Sequence, residues 1–371
     1  MSCALDAPAC PDGMTCGDDL RCHADTAGAA DCSEAADACY GVGLSGFDPI
    51  CAPTAVPPML KSADLGVQTC PADHLHLQRD GSMVCVFVAR DIVIDLPLRL
   101  IGTLPFALIA THTLSVLAGG DIDVSSQSGG FSDVPGAGAN HADCVDHPGT
   151  QDPNGGGGGG GGGFQGAGGR GGAGDYEAAA GGPIATGGLA GAPLSPPMSV
   201  RGGCRGGGGD GGASGGAIYL VGGSAVHLGG MVLANGQGGL TITGPDGGGG
   251  GGSGGLIAIE APVVVISASV TANGGGGGGG PGATPPTHGV DGNPTAPARG
   301  GDGAPGSIPG SVGGRGGDGS FGPVLDGGAG TNESGTSNGT GGGGGGGGAG
   351  YVLVFATQTV LDGALVSPAP R

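Results

Sequence analysis

The stretch LIAIEAPVVVISASVTAN, residues 256–273, sets the pattern that the rest of the chain repeats. Its apolar residues form three pairs with alternate spacing: Ile257 with Ile259, Val264 with Ile266, and Val270 with Ala272. Alternation at a period of two is typical of a strand with one buried face. Directly after Asn273 the chain enters an unbroken glycine run, residues 274–280. The segment therefore predicts short strands that end in a glycine-rich insert.

Four other stretches keep the same three-pair rhythm. They contain Val86/Val88, Ile92/Ile94 and Leu98/Leu100; Ala107/Ile109, Leu114/Val116 and Ile122/Val124; Ile218/Leu220, Val226/Leu228 and Val232/Ala234; Val352/Val354, Thr359/Leu361 and Leu365/Ser367. Three short strands separated by single turns make one coil of a parallel β-solenoid. Stacking supplies the core of such a fold, and about three coils are the usual minimum. The sequence thus predicts an all-β chain: a short, β-helix-like parallel β-solenoid with long glycine-rich inserts.

The composition is far from that of an ordinary globular domain. Glycine supplies 98 of the 371 residues, aromatic residues only 3%, and tryptophan is absent. Such a glycine content is typical of low-complexity or periodic glycine structures. The formal net charge is −20, and Lys61 is the single lysine. An acidic chain of this kind argues against nucleic acid and anionic membranes as partners, and we expect no transmembrane span.

The chain divides into two predicted parts. Residues 1–70 form a cysteine-rich, disulfide-stapled, irregular segment, and residues 71–371 form the β-solenoid with its inserts. The inserts cover about residues 127–216, 236–255 and 274–350. Ordering a residue costs about 1–2 kcal/mol of backbone entropy, and glycine lies at the expensive end. Each insert is therefore either a disordered tether or a bundle of packed polyglycine-II helices, in which only glycine permits the close backbone approach.

The combination of motifs resembles a set of uncharacterised glycine-rich secreted proteins of myxobacteria and related bacteria. The matching motifs are GGASGG at 211–216, GGSGG at 251–255, Ala-Asn-Gly at 234–236 and 272–274, and GGGGAG at 345–350. The resemblance covers about residues 86–366 and implies secretion without implying an activity. The glycine runs are also similar in composition to those of insect antifreeze proteins and of some phage tail-fibre tip adhesins, a weaker likeness.

The cysteines indicate an oxidising compartment. All eleven are disulfide candidates: Cys3, Cys10, Cys16, Cys22, Cys32, Cys39, Cys51, Cys70, Cys85, Cys144 and Cys204. No C-x-x-C pair is present to predict a zinc site. We therefore expect an extracellular or outer-surface protein with disulfides. The first residues lack a basic and apolar leader, so we expect a signal segment to have been removed or to lie upstream, which would place Cys3 near a lipid-attachment cysteine.

One short cluster, His141-Ala-Asp-Cys-Val-Asp-His147, contains residue types that can bind a transition metal. The alternative is a polar loop in which Cys144 is bridged to Cys204, and we favour the disulfide. Aspartates beside glycine recur without the fixed register of a calcium-binding β-roll, and we interpret them as solvated turn residues: Asp210, Asp246, Asp291, Asp302, Asp318 and Asp326. His112 and His227 are interpreted as outward-facing strand residues. We predict no catalytic, cofactor-binding or metal-binding residue.

These observations predict a non-enzymatic, secreted or cell-surface structural protein, either an adhesin or an extracellular-matrix component with a glycan or cell-surface partner. The alternative is a protein that binds ice or another ordered surface. A third class, the polysaccharide-active β-helix enzyme, needs clustered carboxylates with a basic partner. The main acids of the last four copies are Asp121, Asp123, Glu260 and Asp362, and they do not recur in pairs at adjacent offsets.

Overall fold

The computed structural model describes residues 56–371 apart from short gaps, and several pieces of the N-terminal segment. The gaps are residues 66–69, 79, 129–132, 153, 175–184, 209–210, 242–245, 308 and 335–338. The N-terminal pieces are residues 14–16, 22–24, 37–40, 47 and 50–53. They include two antiparallel strand pairs: β1 (Met14–Cys16) with β2 (Cys22–Ala24), and β3 (Asp37–Tyr40) with β4 (Ile50–Pro53).

The remaining elements are almost all strands, with one single-turn helix and one 3-10 turn. In chain order they are β5 (Met59–Lys61), α1 (Ser62–Leu65), the 3-10 turn Ala72–His74, β6 (Leu75–Leu77), β7 (Met83–Ile94), β8 (Leu98–Arg99), β9 (Phe106–Val116), β10 (Ile122–Asp123), β11 (Gln127–Ser128), β12 (Asp133–Val134), β13 (Ala217–Gly222), β14 (Ala225–Leu228), β15 (Val232–Leu233), β16 (Leu256–Ile266), β17 (Val270–Thr271), β18 (Tyr351–Leu361) and β19 (Val366–Ser367).

Two mostly parallel sheets carry the apolar core. In the larger sheet β9 pairs with β7 on one side and with the consecutive strands β13 and β14 on the other. Strands β13 and β14 then pair with β16, and β16 pairs with β18, all in parallel. The smaller sheet has the order β19-β17-β15-β10-β8, and its strands are two residues long. Successive repeats of the sequence are therefore neighbours in both sheets.

The prediction of a β-solenoid is wrong. It assigned three short strands and intervening turns to each repeat, whereas the structure is built of mostly parallel sheets with few helices. The first two predicted strands fuse into one long strand in four repeats, as in β16, which runs unbroken from Leu256 to Ile266. The physical reason is visible in β7, where an irregularity between Ala89 and Asp91 lets the strand continue without a turn.

The interior between the two sheets is a single apolar cluster built of aligned rows. One row consists of Ile94, Val116, Leu228 and Ile266, which occupy equivalent register positions and are at most 1% exposed. Burying such a side chain contributes about 1.5–3 kcal/mol. Because each row crosses consecutive repeats, no repeat can bury its own apolar residues without its neighbours.

The opposite face of the larger sheet is also buried, and some residues that were predicted to point into the interior lie on that face instead. Val86 and Ala107, predicted to point into the interior, belong to a second cluster on that face, which includes Phe164 and Tyr219. Glu260 lies among these residues, 6% exposed, and accepts a hydrogen bond from the Tyr219 hydroxyl. Where both faces of a strand are apolar, the sequence shows that alternate residues share a face, but it does not show which of the two faces points into the interior.

The glycine-rich inserts are packed segments joined by backbone hydrogen bonds. In residues 155–163, N–H groups three residues apart donate to the same neighbouring segment. Gly157 and Gly160 donate to Thr150 and His147, Gly158 and Gly161 to Gly172 and Gly169, and Gly159 and Gly162 to Gly248 and Gly251. Three residues per turn, with no hydrogen bonds inside the helix, is the geometry of a polyproline-II-type helix. The run is therefore an extended helix whose backbone N–H groups are hydrogen-bonded to neighbouring segments on three sides.

Residues 247–255, 274–280 and 341–350 repeat this arrangement, and together with residues 155–163 they form the centre of what we call the glycine bundle. In the last of these runs, Gly342 and Gly345 donate to Gly156 and Gly159, Gly343 and Gly346 to Thr331 and Gly328, and Gly344 and Gly347 to Gly278 and Gly275. The strands β13, β16 and β18 begin directly after glycine residues 216, 255 and 350. The parallel sheet thus holds the ends of three bundle segments in register.

The first prediction compares two positions in the same register row. Ile266 is fully buried, whereas Leu361, its partner in β18, is 51% exposed. Ile266→Asp should unfold the protein because an unpaired buried carboxylate costs several kcal/mol. Leu361→Asp should change the free energy of unfolding by less than about 1 kcal/mol. Urea denaturation of dilute protein measures both, and equal destabilisation by the two variants would contradict the assignment of the interior.

The second prediction concerns the close packing of the bundle. A Cβ at Gly277 would overlap the carbonyl group of Gly344, so both backbones would have to separate. At Gly229 the nearest atom to a Cβ is the Val116 oxygen at 3.2 Å. Gly277→Ala should therefore destabilise by about 3 kcal/mol or more, and Gly229→Ala by less than about 1 kcal/mol. Thermal denaturation distinguishes them, and a neutral Gly277→Ala would be incompatible with a packed bundle.

Candidate functional site

Two segments at the outside of the glycine bundle carry side chains at every third position. Residues 298–304 and 312–319 lie side by side against the central run 274–280. Gly301 and Ala304 donate to Gly277 and Gly280, which in turn donate to Gly317 and Gly314. Because two positions of each turn contact neighbouring backbones, only the third position has room for a side chain on the outside. The repeated sequence Arg-Gly-Gly-Asp, at 299–302 and 315–318, satisfies this condition twice.

Arg299, Asp302, Arg315 and Asp318 form a connected set of ion pairs that we call the Arg–Asp face. An Arg299 Nη2 to Asp302 Oδ1 distance of 3.1 Å and an Arg315 Nη2 to Asp318 Oδ1 distance of 2.6 Å join residues within each segment. A 3.8 Å distance between Arg315 Nε and Asp302 Oδ1 joins the two segments. The four side chains remain between 43% and 67% exposed, so they are held in place but available to a partner.

The energetics of these pairs favour a role in binding over a role in stability. An exposed ion pair contributes a median of about 0–1 kcal/mol to folding. The face nevertheless has a fixed geometry, since Asp318 also accepts a hydrogen bond from the backbone N–H of Gly300 at 2.9 Å. Along each segment, consecutive outward positions are about 9 Å apart, which is three residues at the polyproline-II rise. The result is a regular pattern of cations and carboxylates on a rigid support.

For the cluster at residues 141–147, the favoured prediction of a Cys144–Cys204 disulfide is confirmed. Cys144 and Cys204 form a disulfide with an S–S distance of 2.07 Å, so the Cys144 sulfur is not a free thiolate. His141 Nδ1 lies 3.0 Å from the Arg201 guanidinium. Burial lowers the pKa of His141, and the Arg201 cation lowers it further. In the described part of the chain, no group of three or more His, Cys, Asp and Glu side chains is arranged to hold a metal ion.

A groove of about 980 Å³ lies beside this cluster, between the turn at residues 101–105 and residues 134–142. Arg201 is one of its lining residues; the guanidinium lies 5.5 Å from the ring centre of Phe164 and 3.5 Å from the Asp143 carboxylate. The arginine charge is thus already balanced by Asp143 and covered by an aromatic ring. Among the described lining residues, the Ser82 hydroxyl donates to Asp80 and accepts from Gln78, and His141 contacts Arg201, so these polar groups are bonded within the local structure.

The aspartates that were interpreted as solvated turn residues mostly cap the backbone of a neighbouring segment. Asp291 accepts from the N–H groups of Ser128 and Gly238, and Asp326 accepts from Ala167 at 2.8 Å. Asp302 and Asp318 belong to the Arg–Asp face, Asp246 lines a small cavity, and Asp210 lies outside the described residues. A carboxylate is an effective acceptor where glycine segments leave an N–H unpaired at the bundle surface.

The other predicted residues are placed as follows. His112 is exposed and its Nδ1 lies 2.8 Å from Asp91, and His227 is exposed on β14. Cys70 and Cys85 form a second disulfide, with a Cα–Cα distance of 5.8 Å. Cys3, Cys10 and Cys32 lie outside the described residues, as do the side chains of Cys16, Cys22, Cys39 and Cys51. Within the described chain, no helix is long and apolar enough to cross a membrane.

Comparison of the chain with family models, with curated proteins and with solved structures gives no match. Any proposal about function therefore rests on the chemistry of the protein's own surface. The Arg–Asp face is the candidate site that sequence reasoning missed. Its signal was the exact repeat of Arg-Gly-Gly-Asp at the three-residue period of the bundle helices.

The third prediction concerns the bridge between Cys144 and Cys204, which are 60 residues apart in the sequence. Closing a loop of this length stabilises a protein by about 4 kcal/mol in the chain-entropy model. The double variant Cys144→Ala/Cys204→Ala should lose stability of that order in urea denaturation. Reduced wild-type protein serves as the control and should lose at least as much. A double variant as stable as the oxidised wild type would show that the bridge does not support the bundle.

Proposed function

We propose that the protein is a non-enzymatic structural protein of the cell exterior, and that its Arg–Asp face adheres to a neutral, hydroxyl-rich polysaccharide. The observation that carries the proposal is the geometry of this face. Two cations and two carboxylates are exposed at regular intervals on a support whose backbone cannot rearrange without breaking the bundle. A preorganised surface avoids much of the ordering cost of binding, which suits adhesion through many weak contacts.

The charges of the face favour a neutral polymer. The whole chain carries a formal net charge of −20, so an anionic polysaccharide would be repelled over most of the surface. Guanidinium groups donate hydrogen bonds and carboxylates accept them, whereas a sugar hydroxyl does both. A polymer with hydroxyls at regular spacing can therefore bind to alternating Arg and Asp side chains. Hydrogen bonds to a charged group are also stronger than those between neutral groups.

The disulfides support the location. Two bridges are present among the described residues, Cys70–Cys85 and Cys144–Cys204. Disulfides persist in oxidising environments, such as the outside of the cell, and are rare in the cytosol of most organisms. A protein that relies on extracellular bridges and a dense backbone network is suited to a matrix or surface role.

The fourth prediction tests the face directly. The double variant Arg299→Gln/Arg315→Gln removes both cations and leaves a shorter, uncharged polar side chain at each position. Sedimentation with insoluble neutral polysaccharides should show binding weakened by at least about tenfold, since each charge-assisted hydrogen bond contributes roughly 1.5–3 kcal/mol. Arg90→Gln is the matched control, because Arg90 is 64% exposed on the sheet side and lies outside the face. It should bind as the wild type does.

Both variants should keep the wild-type melting temperature, because exposed ion pairs contribute little to stability. Wild-type protein that binds no neutral polysaccharide, or a double variant that binds as well as the Arg90→Gln control, would contradict the proposal. Thermal hysteresis in ice-growth assays without glycan binding would favour the ordered-surface alternative instead.

A further inference from the structure

The segment formed by residues 326–334 lies beside the Arg–Asp face and extends it. The backbone N–H of Thr331 donates to Arg315 at 2.8 Å, and that of Gly328 donates to Asp318 at 2.7 Å. This pairing is antiparallel, as is the pairing between the two segments of the face itself. Three neighbouring segments therefore run side by side, with their outward positions opposite one another.

These three segments form a flat layer, which we call the outer layer. Segments 298–304 and 312–319 both rest on the central run 274–280, whereas segments 312–319 and 326–334 both rest on the central run 341–350. The two central runs are themselves joined by backbone hydrogen bonds. The three outer segments therefore lie over the two runs as one layer of parallel rods lies over another.

One row across the outer layer presents three polar side chains, those of Asp302, Arg315 and Thr331. The first two are joined by the 3.8 Å contact between Arg315 Nε and Asp302 Oδ1. The Thr331 hydroxyl oxygen accepts a hydrogen bond from the backbone N–H of Arg315 at 2.7 Å. The same hydroxyl lies 3.4 Å from the Arg315 carbonyl oxygen, which is longer than a normal O–H···O bond. The backbone thus holds the hydroxyl oxygen, while the hydroxyl hydrogen can be donated to a better acceptor on a ligand.

The next row across the outer layer is apolar. Backbone bridges join Val312 to Pro305 on one side and to Ser334 on the other, so this row crosses the same three segments. The Val312 side chain is 40% exposed. A sugar ring carries C–H groups on its faces and hydroxyls at its edges. The apolar row and the polar row therefore match the two kinds of surface that one glycan chain presents.

The spacing of the outward positions selects the direction and the shape of the ligand. Along a segment these positions are about 9 Å apart, whereas extended backbones that are hydrogen-bonded to each other lie about 5 Å apart. The second distance is close to the length of one sugar unit in an extended glycan. A chain that crosses the outer layer can therefore place one unit over each segment. A coiled glycan cannot keep successive units on a flat surface in this way.

We propose that the outer layer binds an extended, ribbon-like glycan of the kind formed by β-1,4-linked glucose, which lies across the three segments. The inference rests on the adhesion proposed for the Arg–Asp face, and it specifies the shape of the polymer and one further contact residue. The ring faces lie over Val312. The hydroxyls at one edge of the chain reach Asp302 and Arg315, and Thr331 donates a hydrogen bond to the chain.

Thr287 provides a matched control for Thr331. Its hydroxyl accepts from the backbone N–H of Asp302 at 2.6 Å and lies 3.4 Å from the Asp302 carbonyl oxygen, so the local geometry is the same. The segment of Thr287 is, however, the third one that rests on the run 274–280, since Gly279 donates to Thr287. Three successive neighbours of one run cannot lie in one plane. Thr287 therefore lies at the side of the bundle, outside the outer layer.

Sedimentation of the full oxidised chain with two insoluble glucans tests the proposal. Cellulose is extended and starch is coiled, but both are neutral polymers of glucose. The wild type should sediment with cellulose and remain in solution with starch. Thr331→Val should weaken binding to cellulose about two- to tenfold, as expected for the loss of one neutral hydrogen bond. Thr331→Ser, which keeps the hydroxyl, and Thr287→Val should bind as the wild type does.

Both threonines are exposed, so all three variants should keep the wild-type melting temperature. A wild type that sediments equally with the two glucans, or a Thr331→Val variant that binds cellulose as well as Thr287→Val does, would overturn the inference. A wild type that binds another neutral polysaccharide but not cellulose would also overturn it, and would leave the proposed adhesion standing. Binding to no neutral polysaccharide would contradict both.

Discussion

The hydrogen bond between glycine backbones at close approach is the constraint on which the structure depends. Each such bond contributes about 1 kcal/mol net, and fixing a glycine costs about 1–2 kcal/mol or more. These hydrogen bonds alone therefore do not offset the entropy lost on ordering a glycine segment. The bundle can therefore persist only if its segments are brought together by other means, and the parallel sheets supply them. Strands β13, β16 and β18 fix the ends of three segments in register. The glycine segments therefore lose less conformational entropy when they pack against one another.

The same constraint explains where side chains occur. In the central runs nearly every position is glycine because a Cβ would overlap a neighbouring backbone, as at Gly277 against Gly344; the exceptions are Ser253 and Ala349. In the outer segments one position in three is free, and there the sequence places arginine, aspartate, alanine or asparagine. A chain poor in aromatic residues thus obtains a rigid surface without a large apolar core. The charged pattern of the Arg–Asp face follows from the spacing of the helix beneath it.

The sequence allowed some of this to be predicted. The period of two in the repeats identified the strands and most of their buried residues, such as Ile257 and Val264. The Cys144–Cys204 bridge was predictable because Cys204 is the only other cysteine in or after that insert. The prediction of a β-solenoid was wrong because a change of direction inside one strand and a turn between two strands give the same alternation of apolar and polar residues in the sequence. The phase at Val86 was wrong because both sides of β7 are buried. The Arg–Asp face forms because two particular glycine-rich segments are neighbours in the bundle. The glycine runs carry no side chains whose pattern would show which segments are neighbours, so the local sequence does not reveal the face.

Hydrogen exchange of the glycine amides, followed by mass spectrometry, tests the central claim most directly. Residues 274–280 and 341–348 donate their N–H groups to neighbouring segments, so a packed bundle should protect these amides as strongly as those of β16. The account predicts slow exchange in both runs and joint loss of protection when the sheets unfold. Complete exchange of the runs within seconds, while β16 stays protected, would show that the glycine segments are not bonded to one another.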